Sequence, residues 1–176
     1  YHAGVAAQYV IEDLARIPVR VEVASEFRYR KPILNPNDLV IIISQSGETA
    51  DSLAALRESK AQGIKTLAVV NVVGSSIARE ADNVFYTLAG PEIAVATSKG
   101  YTTQLIACYC IAIQLANVRG CITQEQADEY LAILNRIPSQ MESLLEEKER
   151  IQWFAAKEAA AHDVFYIGRG IDYAIC

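Results

Sequence analysis

Leu39-Val40-Ile41-Ile42-Ile43 followed by Ser44-Gln45-Ser46-Gly47-Glu48-Thr49 is the stretch on which the fold turns. The first five residues form a continuous apolar run, mostly β-branched. Such a run fits a strand covered on both faces, as in a parallel sheet. The next six are a polar turn, and a helix is expected from about Ala50 to Gln62, with Leu53, Ala54 and Leu56 on its apolar face. Gly63 is a natural end for that helix. A second buried strand is expected over Ile64 to Val70, then a turn at Asn71-Val72-Val73-Gly74. Ser75 or Ser76 can cap a short helix through Glu80, and Val84-Phe85-Tyr86 reads as a third strand.

Outward from this core, Ala6, Ala7, Val10, Ile11 and Leu14 recur at helical spacing, and Pro18 ends that helix. Val19, Val21 and Val23 alternate with polar residues, which is strand spacing. Ser25 to Arg30 is a short polar-aromatic piece, and Pro32, Asn35, Pro36 and Asn37 mark a loop. A long, mostly apolar helix is expected from Thr97 to Val118. Thr123 caps the next helix, with Glu125 and Gln126 in its first turn. Pro138 is expected to interrupt that helix, which resumes through Met141, Leu144 and Leu145. Ile151 to Ala161 reads as helix, Val164 to Ile167 as strand, and Gly168-Arg169-Gly170 as a turn out of it. Strands alternating with helices imply right-handed βαβ units, a parallel sheet and an α/β fold of three layers, α-β-α.

Bulk composition narrows the function. The 176 residues suit one or two domains, and 52% hydrophobic residues can fill a large core. A formal charge of −5 without a Lys/Arg run argues against a nucleic-acid partner. The longest apolar run, Leu105 to Ile113, is far shorter than the roughly 20 residues a membrane span needs, so it is expected as a buried core helix. No stretch reads as a signal peptide. Cys108, Cys110, Cys121 and Cys176 lack the spacing of a zinc site and are expected as reduced, mostly buried thiols of a cytoplasmic protein. Tyr1 and Cys176 both read as cuts through a larger polypeptide.

In an open α/β sheet, ligands sit beyond the carboxyl ends of the strands. Ser44 to Thr49 lies there. A helix start offers free N–H groups and partial positive charge. Ser44, Ser46 and Thr49 add hydroxyl donors, Gln45 can meet sugar hydroxyls, and Gly47 allows close backbone approach. The loop has no lysine, so it differs from a nucleotide P-loop and suits a single phosphate held by neutral donors; the plainer alternative is an ordinary capped helix start. A second candidate is Gly90 to Lys99, where Thr97 or Ser98 would cap the long helix and Glu92 and Lys99 could face a cleft. His2, His162, Arg169, Asp172 and Trp153 read as structural, packing or surface residues.

The Ser44 to Thr49 loop resembles that of sugar isomerase (SIS) domains. Ala24 to Arg30, Ser44 to Asp51, Asn71 to Glu80 and Gly90 to Lys99 together resemble the glucosamine-6-phosphate synthases, the glutamine:fructose-6-phosphate aminotransferases. The resemblance covers essentially the whole chain. It implies a flavodoxin-like or Rossmann-like SIS fold, with residues 1–148 the first SIS subdomain, lacking its first strand and loop, and 149–176 the start of the second. It implies an enzyme that takes fructose 6-phosphate and ammonia from glutamine to glucosamine 6-phosphate through an imine and a C1–C2 proton shift. No metal or organic cofactor is implied. By position, Ser44, Gln45, Ser46 and Thr49 would hold the phosphate, and Val95 would contact the sugar through its backbone.

The resemblance also implies a homodimeric parent with a glutaminase domain upstream. The lysine, glutamate and histidine of ring opening and proton transfer would lie past Cys176, and a Cys-Gly-Thr-Ser loop before Tyr1. No catalytic residue is therefore assigned within the chain, and it is expected to be inactive alone. Two departures stand out. The usual Ala-Ser-Thr-Lys is Ala96-Thr97-Ser98-Lys99 here, and Gly100 replaces a usual alanine. A competing expectation is a non-catalytic SIS module that senses sugar phosphates in a regulator; a purely structural half-domain is a third.

Overall fold

The computed structural model describes all residues from Tyr1 to Cys176. Three parallel strands, β1 (Leu39–Ser44), β2 (Lys65–Val70) and β3 (Asn83–Tyr86), form one sheet in the order β1-β2-β3. The register runs from Leu39 opposite Lys65 to Ser44 opposite Val70. The helices are α1 (His2–Ala15), α2 (Ala24–Tyr29), α3 (Ala50–Ala61), α4 (Ser76–Glu80), α5 (Ser98–Val118), α6 (Gln124–Glu146), α7 (Lys148–Lys157) and α8 (Ile171–Ile175).

Strand alternation distributes the core over two faces. Val40, Ile42, Ala68 and Val70 meet Phe27 of α2, Ala55 and Leu56 of α3 and Ile77 of α4. Ile41, Ile43, Leu67 and Val69 point the other way, onto Ala107 and Ile111 of α5. Ala7, Ile11 and Ala15 of α1 then pack on Cys108, Ala112 and Ala116 of α5. Small residues at these positions let the two helices approach closely. Helices cover both sheet faces, so the three-layer α/β expectation holds.

Several local expectations change. The Val19–Val23 segment forms no ladder: the alternation is there, but no strand pairs with it. The same is true of Val164–Ile167, whose side chains are all exposed. Ser25–Arg30 is mostly the short helix α2. The buried stripe of α3 is Ser52, Ala55, Leu56 and Ser59, with Leu53 and Ala54 at its margin. Ser59 avoids an orphan hydroxyl by donating to the Ala55 carbonyl at 2.8 Å. Pro138 does not break α6. It costs one backbone hydrogen bond, but the surrounding turn is largely exposed, so water can serve the freed carbonyl. All four cysteines are free. Only Cys108 is buried; Cys110 is intermediate, and Cys121 and Cys176 are exposed. Trp153, expected in packing, is exposed beneath the Lys157 ammonium at 3.7 Å.

No helix is long and apolar enough to cross a membrane. No group of His, Cys, Asp and Glu side chains is arranged to hold a metal ion.

Candidate functional site

The turn from β1 into α3 stands at the carboxyl end of the sheet, where the Ser44–Thr49 backbone leaves its ladder. Ser44 is buried, and its hydroxyl oxygen accepts the Gly47 N–H at 3.1 Å. The Ser46 hydroxyl accepts the Glu48 N–H at 3.2 Å. Both hydroxyls keep a proton to donate outward. Thr49 is the residue before α3, and its side chain makes no capping bond. The first backbone bond of the helix is Leu53 N–H to the Thr49 carbonyl at 3.0 Å. The amides of Ala50, Asp51 and Ser52 are the unpaired donors every helix start carries. Hydroxyls and amides thus converge on one turn without a cation.

Two carboxylates flank this turn and would repel an anion, yet each is held elsewhere. Glu48 reaches across to the start of α4 and accepts the Ser76 N–H at 2.8 Å. The hydroxyl and amide of Ser76, aided by the Arg79 charge, hold the Glu48 carboxyl below its usual range. Asp51 pairs with Arg28 of α2 at 3.0 Å. The site is therefore close to neutral, with helix-start polarity left to attract a phosphate.

The turn is tied down from beneath. The Gln45 carbonyl accepts Asn71 N–H at 3.1 Å, and the Gly47 carbonyl accepts Ile77 N–H at 3.0 Å. Asn71 reaches on to a third segment. Its amide NH2 donates to the Gly90 carbonyl at 2.8 Å, and its side-chain oxygen accepts from Ala89 N–H at 2.8 Å and Thr87 hydroxyl at 3.2 Å. Asn71 thus connects the Ser44–Thr49 turn to the loop that carries Val95. The sequence reading placed Asn71 in a turn but gave it no role. Its only signal was a two-ended amide directly after a buried strand.

The second candidate, Gly90 to Lys99, has a different form from the one expected. Thr97 stands before α5 with φ +56, in the left-handed region, and makes no capping bond. Its hydroxyl instead donates to the Val95 carbonyl at 3.0 Å. The Val95 side chain is fully exposed; its carbonyl has a second lone pair free for a ligand. Glu92 is half-buried. Its two oxygens accept Ala94 N–H at 3.1 Å and Gly100 N–H at 3.2 Å. Lys99 is exposed and makes no ion pair.

Beside this loop lies a cleft of about 420 Å³ bounded by His2, Ala96, Thr97, Tyr101 and Gln104. His2, expected at the surface or in a structural role, therefore borders it. The Tyr101 hydroxyl is buried there without a hydrogen-bond partner. The free, exposed Cys176 also borders this cleft; Cys108 does not, and burial pushes its thiol up to about 11, far from a thiolate at neutral pH.

A family model for the SIS domain matches residues 1–114. The chain is 57% identical over 175 residues to the glutamine–fructose-6-phosphate aminotransferase (isomerizing) of Caldanaerobacter subterraneus subsp. tengcongensis, and 55% identical over 175 residues to that of Clostridium acetobutylicum. Each match takes in 99% of this chain but 29% of the relative, so the chain spans less than a third of the length of these relatives. Among solved structures, the C-terminal domain of glucosamine-fructose-6-phosphate aminotransferase from Francisella tularensis superposes with a TM-score of 0.96 at 38% identity, over 99% of this chain and 50% of that one.

Proposed function

The chain belongs to the SIS domain family, and on that premise we propose that it is the sugar-phosphate-binding part of an enzyme converting fructose 6-phosphate and glutamine to glucosamine 6-phosphate and glutamate. In this reading Ser44, Gln45, Ser46 and Thr49 hold the phosphate, and the Val95 carbonyl meets the sugar. The observation that carries it is the cation-free turn at the end of β1, with Glu48 and Asp51 both drawn away from it. Neutral donors suit a monoester that must be released after each turnover. The names of the relatives supply the substrates, fructose 6-phosphate and glutamine.

Residues 149–176 begin a second unit in this reading. In the parent, an upstream glutaminase supplies ammonia, and the assembly is a homodimer. The chain by itself makes no glucosamine 6-phosphate. Proton transfer needs an acid and a base within hydrogen-bond reach of C1 and C2. The carboxylates around the turn, Glu48, Asp51 and Glu92, are each engaged in holding backbone or arginine.

Titration with fructose 6-phosphate, followed by amide NMR shifts, tests the binding half. The Ser44–Thr49 and Val95 amides are expected to move together. A hydroxyl-to-phosphate hydrogen bond contributes about 1.5 kcal/mol, so Ser46→Ala with Thr49→Ala should weaken binding roughly a hundredfold. Shifts confined to other parts of the chain, or a double variant that binds as well as the parent sequence, would remove the assignment.

A further inference from the structure

Gly100 is the third residue of α5 and is buried. A Cβ placed on it would lie 2.8 Å from Thr97 Cγ2, 3.3 Å from Gln45 Cγ and 3.6 Å from Glu92 Oε2. Those three side chains come from the two loops assigned to the ligand. Gln45 belongs to the anion turn. Thr97 and Glu92 bracket Val95: one hydroxyl holds the Val95 carbonyl, and the Glu92 carboxylate ties Ala94 N–H to Gly100 N–H. The two loops therefore converge on the bare α-carbon of one residue.

The geometry points to Gly100 as a positioning residue: its missing side chain lets Gln45 and the Val95 loop close together, so that phosphate and sugar are gripped at once. This rests on the sugar-phosphate reading above. Thr97 has little freedom to yield. It is β-branched at φ +56, a backbone state such residues rarely adopt. Turning its methyl away also turns its hydroxyl, which would release the Val95 carbonyl. Gln45 Cγ, at 3.3 Å, needs to move only by tenths of an ångström. The methyl of Thr97 is thus the hard contact, and Thr97→Ser removes it.

The test compares the wild-type chain with Gly100→Ala, Thr97→Ser and the double variant. Alanine is ordinarily favoured over glycine within a helix, so a rise in Tm is the default outcome for Gly100→Ala. The inference expects a fall instead, with displaced Gln45 and Val95 amide shifts in the absence of any ligand. It expects fructose 6-phosphate to bind about tenfold more weakly and inorganic phosphate less than about twofold more weakly, as misplacement of only one of two gripping loops implies. Adding Thr97→Ser should return the amide shifts and sugar-phosphate affinity, and lift Tm to at least the wild-type value.

A Gly100→Ala chain with raised Tm and unmoved amides would overturn the inference, and so would a double variant no better than the single one. If Gly100→Ala does not fold, the double variant decides: folding with wild-type Val95 shifts supports the inference, and failure to fold overturns it. Should the wild-type chain bind no fructose 6-phosphate, the functional reading fails. The Tm and amide comparison still settles whether Gly100 sets the loop spacing.

Discussion

Gly47 sits in the turn between β1 and α3 with φ +68, and the buried Ser75 lies directly beneath it. A Cβ there would fall 2.1 Å from Ser75 Oγ and 2.6 Å from Ser75 Cβ. Two costs then add: about 1 kcal/mol for an L-residue in the left-handed region, and about 2 kcal/mol for overpacking. Gly47→Ala should therefore destabilise the chain by roughly 3 kcal/mol, lowering Tm by about 10 °C, as a thermal melt would show. An unchanged melt would mean that the turn is not packed on Ser75. The sequence made the glycine legible as a point of close approach, but pointed to the ligand as what approaches. The neighbour beneath is a serine 28 positions later, and no local pattern reveals such a contact. Asn71 and Glu48 were hidden in the same way. Each is a common turn residue by type, and only the tertiary fold shows that it reaches another loop. Thr97 and Gly100, two of the three positions that depart from the resembled pattern, prove to be neighbours, with a 2.8 Å approach between the threonine methyl and the site of the missing Cβ.

At the scale of elements, the start of β2 is held to the segment before β3 by one carboxylate. Asp82 accepts the Thr66 N–H and hydroxyl, both at 2.9 Å, and pairs with Lys60 at 3.0 Å. Its own N–H donates to the Thr66 hydroxyl oxygen at 3.0 Å. The Lys60 ammonium first, then the Thr66 amide and hydroxyl, draw the Asp82 carboxyl down to about 2. The folded value lies below the unfolded one, so the stabilisation is complete above the ordinary aspartate range of about 4. It is lost as pH falls from there towards 2. Glu48 and Glu80 are shifted in the same direction and add to the loss. The urea midpoint should therefore be flat near neutrality and drop below about pH 4, and Asp82→Asn should give a visibly shallower drop; identical slopes would argue against the clamp. The strands this clamp joins were legible because each is a buried run whose pattern needs nothing else. Val19–Val23 and Val164–Ile167 carry strand-like patterns and form no strand, because a ladder requires a neighbour that a pattern cannot supply. The capping box at Thr123 and Gln126 was readable since it is wholly local. Pro138 misled because a proline in an exposed turn costs one hydrogen bond without ending a helix.

Across the whole molecule, burial is concentrated in the first two thirds of the chain. The three apolar clusters draw on α1 to α5 and the sheet, and Ala127 is the only buried residue of α6. From Met141 to Arg169 every residue is exposed, and α7 has no buried side chain. Leu144, Leu145, Ile151, Trp153, Phe154 and Phe165 are among those left in solvent. Local opening free energy follows buried apolar contact, so these residues should open without disturbing the sheet. The short helix α8 differs, since Ala174 is 4% exposed and α8 packs against α1. Hydrogen exchange on the chain should therefore resolve three classes. Amides of β2, whose Ala68, Val69 and Val70 are fully buried, exchange last, at the rate of global unfolding. Amides of α7, Lys148 to Lys157, exchange close to the unprotected rate, because a helix without buried side chains is marginal at about 12–15 residues and α7 is shorter. Amides of α8 fall between, limited by detachment from α1. Protection of α7 equal to that of β2 would show that the apolar side chains after Met141 are packed in solution, and that the stable body reaches well past α5.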